Sequence, residues 1–214
     1  MTEVPGSNPD PVSELIGIGR EFHGRGWSLG TSSNYSVVTG RDPLRLTITG
    51  SGFDKGRLTS RDFVEVDSQG QNVNPVPGGP RPSAETLLHT LLARVAGAGA
   101  VLHTHSICGT VLSEAHCSDG FLEISGYEML KGLAGITTHE STVRITIVPN
   151  TQDIARLASE LEPRLAGPNP EVRHGFLMAG HGLYTWGRDL AEARRHIEVL
   201  EFLFEVVTRK RQLR

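Results

Sequence analysis

Val12, Leu15, Ile16 and Phe22 fall on one face of a helix that Asp10 and Pro11 can start and Gly24 to Gly26 break. The segments NYSVV (34–38), LRLTIT (44–49) and FVEVD (63–67) alternate instead, are rich in β-branched residues and are punctuated by Gly, Asp and Pro, so they predict an antiparallel meander. After the loop NPVPGGPRP, Ser83 is expected to cap a helix that turns Leu87, Leu88, Leu91, Leu92 and Val95 inward and ends at GAGA. The apolar run that follows, closing in VLHTHS (101–106), predicts a strand carrying His103 and His105.

YEMLKGLAG (127–135) predicts a short helix, VRITIV (143–148) a strand, and Thr151 a cap for a helix using Ile154, Leu157 and Leu161. GFLMAG (175–180) is expected to be the last strand, leading into HGLYTWG. A long amphipathic helix ends the chain, with Asp189 as N-cap, Glu192 completing a capping-box variant, and Leu190, Ala193, Ile197, Leu200, Phe204 and Val207 on its inner face. Neither an internal repeat nor a low-complexity linker divides the pattern, so a single layered α/β domain over 1–214 is expected.

Composition narrows the function classes. The net charge is -3, from 21 basic and 24 acidic residues scattered fairly evenly, and no Lys/Arg stripe suits a nucleic-acid backbone. The start, MTEVPGSNPDP, lacks a signal-peptide pattern, and no apolar run approaches the roughly 20 residues of a membrane span, so a cytoplasmic protein with no membrane partner is expected. Cys108 and Cys117 lack C-x-x-C spacing and read as buried thiols, which disfavours cysteine ligation of a metal.

Residues i and i+2 of a strand share a face, so His103 and His105 can converge on one ion, whereas two hydrogen-bonded histidines at a strand end are the bland alternative. Zinc suits such a pair, and a catalytic zinc needs a third protein ligand. His89 and His196 lie within amphipathic helices, and His116, His139 and His174 in polar or Gly-adjacent connections. His181 stands between Gly180 and Gly182 directly after an apolar strand, where missing side chains allow close approach, and it is favoured as the third ligand. GTSSN (30–34), TGSGFDKG (49–56) and RPSAE (81–85) each offer hydroxyls, backbone amides or a helix start, the features that hold an anion, although each alone is more often just a turn.

Together, GTSSNYS, TGSG, PSAE, HTHS and GHG followed by a C-terminal helix resemble the class II aldolase superfamily of zinc-dependent sugar-phosphate enzymes across nearly the whole chain. The stretches DKGRL, SAETLLH, YEMLKGL and GHGLYTWGRDLAEARRHIEVLEFLFE are most similar to its dehydratase branch. The resemblance implies a three-layer α/β/α fold around a central mixed, largely antiparallel sheet, and a homotetramer with active sites between subunits. It implies one Zn2+ per subunit on His103, His105 and His181, and a substrate phosphate at Ser33, Asn34, Ser51, Gly52 and Ser83. Ala84 replaces a hydroxyl found in some aldolases, which leaves the number of phosphate contacts open.

Glu128 matches the acid/base carboxylate of the dehydratases and Glu85 the acidic residue of the aldolases; Glu85 and Lys55 make a secondary site. Taken alone, Glu128 is a solvated helix-terminal charge and Glu85 a first-turn residue favoured by the helix dipole. The implied reaction is loss of water from a 1-phospho-2-ketose bearing a methylthio group, a step of methionine salvage that needs no organic cofactor. A sugar-phosphate aldolase or 4-epimerase shares the metal site and is the alternative, and a metal-free interaction domain on the same fold is a third reading.

Overall fold

The computed structural model describes residues 10–213. The polar first segment, residues 1–9, lies outside them, as does Arg214. Five helices, α1 (Pro11–Gly24), α2 (Thr86–Val95), α3 (Ile107–Ala115), α4 (Ile154–Leu165) and α5 (Leu190–Gln212), pack on one eight-stranded sheet. Its strands are β1 (Asn34–Arg41), β2 (Leu44–Thr49), β3 (Phe63–Val66), β4 (Ala100–Thr104), β5 (Phe121–Ser125), β6 (Thr142–Val148), β7 (Gly175–Met178) and β8 (Gly182–Gly187). They lie side by side in the order β3-β2-β1-β4-β8-β7-β6-β5. Only β6 and β7 run parallel; every other neighbouring pair is antiparallel.

Alternation along the strands assigns the two faces. Ala100 and Leu102 of β4 join Leu15, Phe22, Leu200 and Phe204 in a core under α1, α3 and α5. Val101 faces the other way, into a core with Leu88 and Leu92 of α2 and Leu157 and Leu161 of α4. The sheet is thus sandwiched in three layers, as the two-sided burial of its central strands requires. No helix among the described residues is long and apolar enough to cross a membrane.

Asp10 and Asp189 cap α1 and α5 as expected, accepting from Ser13 N and Glu192 N, while the Glu192 carboxylate reaches back to Arg188 N. Other boundaries move. Asp153, not Thr151, caps α4; Thr151 holds Asp153 N instead. Ser83 accepts from Glu85 N, but residues 83–88 first make tight i to i+3 bonds, so α2 proper starts at Thr86. The short helix around 127–135 shrinks to a 3-10 turn over Glu128–Gly132, where Gly132 packs directly on Val199. GLYTWG is a further strand, and α3 and β5 are elements the hydrophobic pattern did not announce.

Candidate metal centre and anion cleft

One row of residues crosses the sheet near the end of β4. Asn34 of β1 pairs with His103 of β4, which pairs with Tyr184 of β8, which pairs with Phe176 of β7. His103 therefore points to the α2/α4 face, fully buried, with its ring stacked on Tyr184 at 3.9 Å between centroids. His105 lies one residue past the strand, where its N–H donates to Trp27 O at 2.7 Å. His181 sits in the β7–β8 turn, its own N–H bonded to Met178 O.

The glycines flanking His181 have separate tasks. Gly180 turns the chain with φ +63°, a left-handed value that costs glycine little. Gly182 lets β8 close on β4: a Cβ there would stand 2.0 Å from Thr104 O and 3.2 Å from the His103 ring.

One ligand atom from each of His103, His105 and His181 lies within 4.8 Å of the others. The Nδ1–H of His103 donates to Leu183 O at 2.9 Å, and Nδ1 of His181 faces Asn150 Oδ1 at 3.4 Å. Both arrangements leave an Nε2 lone pair for the shared centre, which is how metal-binding histidines are usually oriented by their other nitrogen. Nε2 of His105 and Nε2 of His103 approach to 2.7 Å, so a proton or a cation has to lie between them. Burial first, and then the neighbouring imidazoles, push His103 well below and His105 down to about 4, which keeps both neutral and able to ligate. The donor set fits a divalent ion of the zinc type.

Glu85 closes the cluster, with Oε1 3.3 Å from His181 Nε2 and Oε2 3.9 Å from His103 Nε2. Burial alone would raise its carboxyl, but its contacts with His181 and His103 and the Asn34 hydrogen bond outweigh it and hold Glu85 ionised. Beside the cluster opens a cleft of about 230 Å³, reaching from His105 and Glu85 to the loops around residues 31–34, 49–52 and 83–84. Ser33, Asn34, Ser51, Gly52 and Ser83 all line it. Ser33 is held at φ +72°, and its buried Oγ has no hydrogen-bond partner among the described residues. Its left-handed backbone and unpartnered hydroxyl leave a hydrogen-bond donor on the cleft wall that an anion could use. Lys55, only 1% exposed, donates to Phe53 O at 2.7 Å and reaches Thr31 O at 3.4 Å, behind the cleft wall; burial lowers it to about 8.

Residues 13–208 match the family described as Class II Aldolase and Adducin N-terminal domain. The chain belongs to this family. Among its relatives, the methylthioribulose-1-phosphate dehydratase of Pseudomonas aeruginosa PAO1 is 48% identical over 195 residues, covering 91% of each chain. The enzyme of the same name from Sorangium cellulosum is 46% identical over 91% of this chain and 89% of its own. Two solved L-fuculose 1-phosphate aldolases share the fold. One superposes with a TM-score of 0.76 at 21% identity, over 97% of this chain and 89% of its own. The other, from Thermus thermophilus, gives 0.70 at 23% identity, over 94% and 96%.

Within this class II aldolase fold, Glu128 stands apart from the histidines. It follows β5, whose last residue Ser125 pairs with Thr142 at the start of β6, whereas His181 follows Met178, which pairs with Val148 at the far end of β6. Six strand steps, about 20 Å, separate the two ends. Glu128 is 67% exposed in its side chain and pairs with Lys131 and with His139 at 3.1 Å. Lys131, first through its hydrogen bond, lowers the Glu128 carboxyl. One chain thus brings Glu85, not Glu128, to its own histidines.

Sequence reasoning passed over His89, which is fully buried and bonded to Asn34 and Ser36, and Tyr184, which packs on His103. The signal for His89 was its spacing of four from Glu85 on one helix face.

Proposed function

We infer that the chain is a hydro-lyase that dehydrates 5-methylthioribulose 1-phosphate to 2,3-diketo-5-methylthiopentyl 1-phosphate, as a cytoplasmic, zinc-dependent homotetramer in methionine salvage. The observation that carries this reading is the junction of a three-histidine cluster with a hydroxyl- and amide-lined cleft, in a chain nearly half identical to dehydratases of that name. The cleft takes the C1 phosphate through Ser33, Asn34, Ser51, Gly52 and Ser83, leaving C2 and C3 against the histidines. Zinc on His103, His105 and His181 would supply Lewis-acid polarisation of the C2 carbonyl.

Glu128 of a neighbouring subunit acts as base and then acid. It takes the C3 proton, whose electron pair moves into the C2 carbonyl; it then returns that proton to the C4 hydroxyl, which leaves as water while the C3–C4 double bond forms. The enol so produced tautomerises to the diketone. Support for delivery across an interface is the exposure of Glu128 and its place at the opposite end of its own sheet. Glu85, in contact with the ligands, stays on the metal side of the substrate.

The test is incubation of purified protein with 5-methylthioribulose 1-phosphate while diketone is followed. Cleavage into two carbonyl fragments would make it an aldolase, and a C4 epimer an epimerase. Sharing of sites is tested by mixing His181→Ala with Glu128→Gln subunits after dissociation: reassembled mixtures should regain activity that neither variant has alone. Mixtures that stay inactive would remove the trans assignment.

A further inference from the structure

We propose that His89 is a positioning residue for Glu85, acting through the Asn34 amide along a buried relay of fixed direction. The inference rests on the reading above only in giving Glu85 a part in turnover.

The relay follows from three elements. Asn34 and Ser36 are two apart on β1 and so share its α2/α4 face, while Glu85 and His89 are one turn apart at the start of α2 above them. Asn34 Nδ2 donates to Glu85 Oε2 at 2.6 Å, Asn34 Oδ1 meets His89 Nε2, and His89 Nδ1 lies 2.7 Å from Ser36 Oγ. His89 has no solvent exposure, and the edge of its ring contact with Tyr184, 6.1 Å between centroids, ties it to the residue stacked on His103.

The amide fixes one direction of bonding. Asn34 turns its NH2, which only donates, to Glu85 and its oxygen, which only accepts, to His89. His89 Nε2 must then carry the proton, and Nδ1, left with its lone pair, accepts from the Ser36 hydroxyl. Burial drives His89 down to about 3, which keeps the ring neutral, as this single tautomer requires. The Asn34 amide cannot flip without setting an oxygen against the carboxylate, and Glu85 is thereby held at its present distance from His181 and His103.

The direct measurement is on metal-free protein with ¹⁵N-labelled histidine. His89 should give one slowly exchanging tautomer protonated at Nε2, and Glu85→Gln, whose amide can donate or accept, should release that restriction. A parental His89 protonated at Nδ1, or averaged between tautomers, would overturn the relay. Kinetically, His89→Leu should lower kcat about 10- to 100-fold with KM little changed, as is usual for groups that orient a metal site from behind. His89→Gln, able to donate to the same oxygen, should recover much of the loss and guards against a folding defect in the leucine variant.

In a Glu85→Gln background His89→Leu should cost nothing further; additive losses would overturn the coupling. Parental turnover in Glu85→Gln would also overturn it, by leaving nothing to position. Absence of diketone from the parental protein would instead sink the dehydratase reading, with the tautomer still measurable.

Discussion

The two ends of the sheet use the same residue type in opposite ways. At the far end His196 spends both ring nitrogens on the chain, Nδ1–H donating to Trp186 O at 2.7 Å and Nε2 accepting from Ala134 N at 3.1 Å. His174 Nε2 meets Ala134 O at 2.8 Å, so the two rings clamp one alanine. At the near end Nδ1 of His103 and of His181 faces a chain oxygen, while each Nε2 turns toward the other imidazoles and Glu85. Burial lowers His103, His174 and His196 alike, so a shifted imidazole does not mark a ligand. What distinguishes the near end is ring nitrogens that converge on one another instead of on backbone groups.

The largest effect should separate these pairs. His181→Ala leaves two imidazoles for the ion and should lose most of the bound zinc and at least ~10²-fold in activity, measured by metal analysis on the purified protein. His196→Ala should keep its metal and instead lose about 1 to 3 kcal/mol of stability, from the Ala134 and Trp186 groups left unsatisfied, read by urea unfolding. Equal metal loss in the two variants would erase the distinction between the ends.

Next in size is Glu128, the proposed acid/base, which stands at the opposite end of the sheet from its own histidines. Glu128→Gln keeps the shape of the 3-10 turn and should keep zinc, yet lower kcat by ~10² to 10⁴-fold, as removal of a general acid/base does. Exchange of the substrate C3 proton with solvent should fall with it. If Glu128→Gln exchanges that proton at the parental rate while Glu85→Gln does not, Glu85 is the base and the far end has no chemical part.

How legible this was depended on whether one residue's pattern or several elements' meeting carried the information. The inward stripe of α5, with Ala193, Ile197, Leu200 and Phe204 buried, is written at helical spacing. Helix α3 is not: Ile107 and Val111 are exposed, and its buried positions include Gly109 and Ser113, so no apolar stripe exists to read. Strand β8 is buried at all six positions and begins and ends in glycine, which hides both the alternation and the strand propensity. The meeting of His103, His105 and His181 was legible because H-x-H and Gly-His-Gly are local. His89 was not, because its partners Asn34 and Ser36 lie more than 50 residues away and meet it only through strand register.

A smaller effect is expected in the cleft. Ser51→Ala and Ser83→Ala each remove one hydroxyl from the wall opposite the histidines and should cost on the order of 1.5 to 3 kcal/mol, a tenfold to hundredfold drop in kcat/KM. Zinc content should not change. Unchanged kinetics in both variants, with equal turnover of the dephosphorylated ketose, would show that the cleft holds no phosphate.

The smallest effect contrasts two carboxyls at the near end, on opposite faces of the sheet. Glu85 has imidazoles and an amide to keep it ionised. Glu201 of α5, fully buried, has only hydroxyl partners: Thr104 Oγ1 donates to its Oε1 at 2.6 Å, and Oε2 has no partner among the described residues. Burial, which exceeds the opposing Ser106 and Thr104 bonds, raises Glu201 from 4.5 to about 7. Between those values the folded chain keeps a proton that the unfolded chain has lost, so the stability Glu201 contributes is complete below about 4.5 and declines as pH rises toward 7. Glu201→Gln has the same shape and no proton to lose. In urea unfolding of metal-free protein, its stability relative to the parent should therefore improve by about 1 kcal/mol between pH 6 and pH 7 and level off above that. A difference that stays constant across this range would mean that Glu201 is ionised in the folded protein, with a cation or water satisfying Oε2, and the two faces would then treat their carboxyls alike.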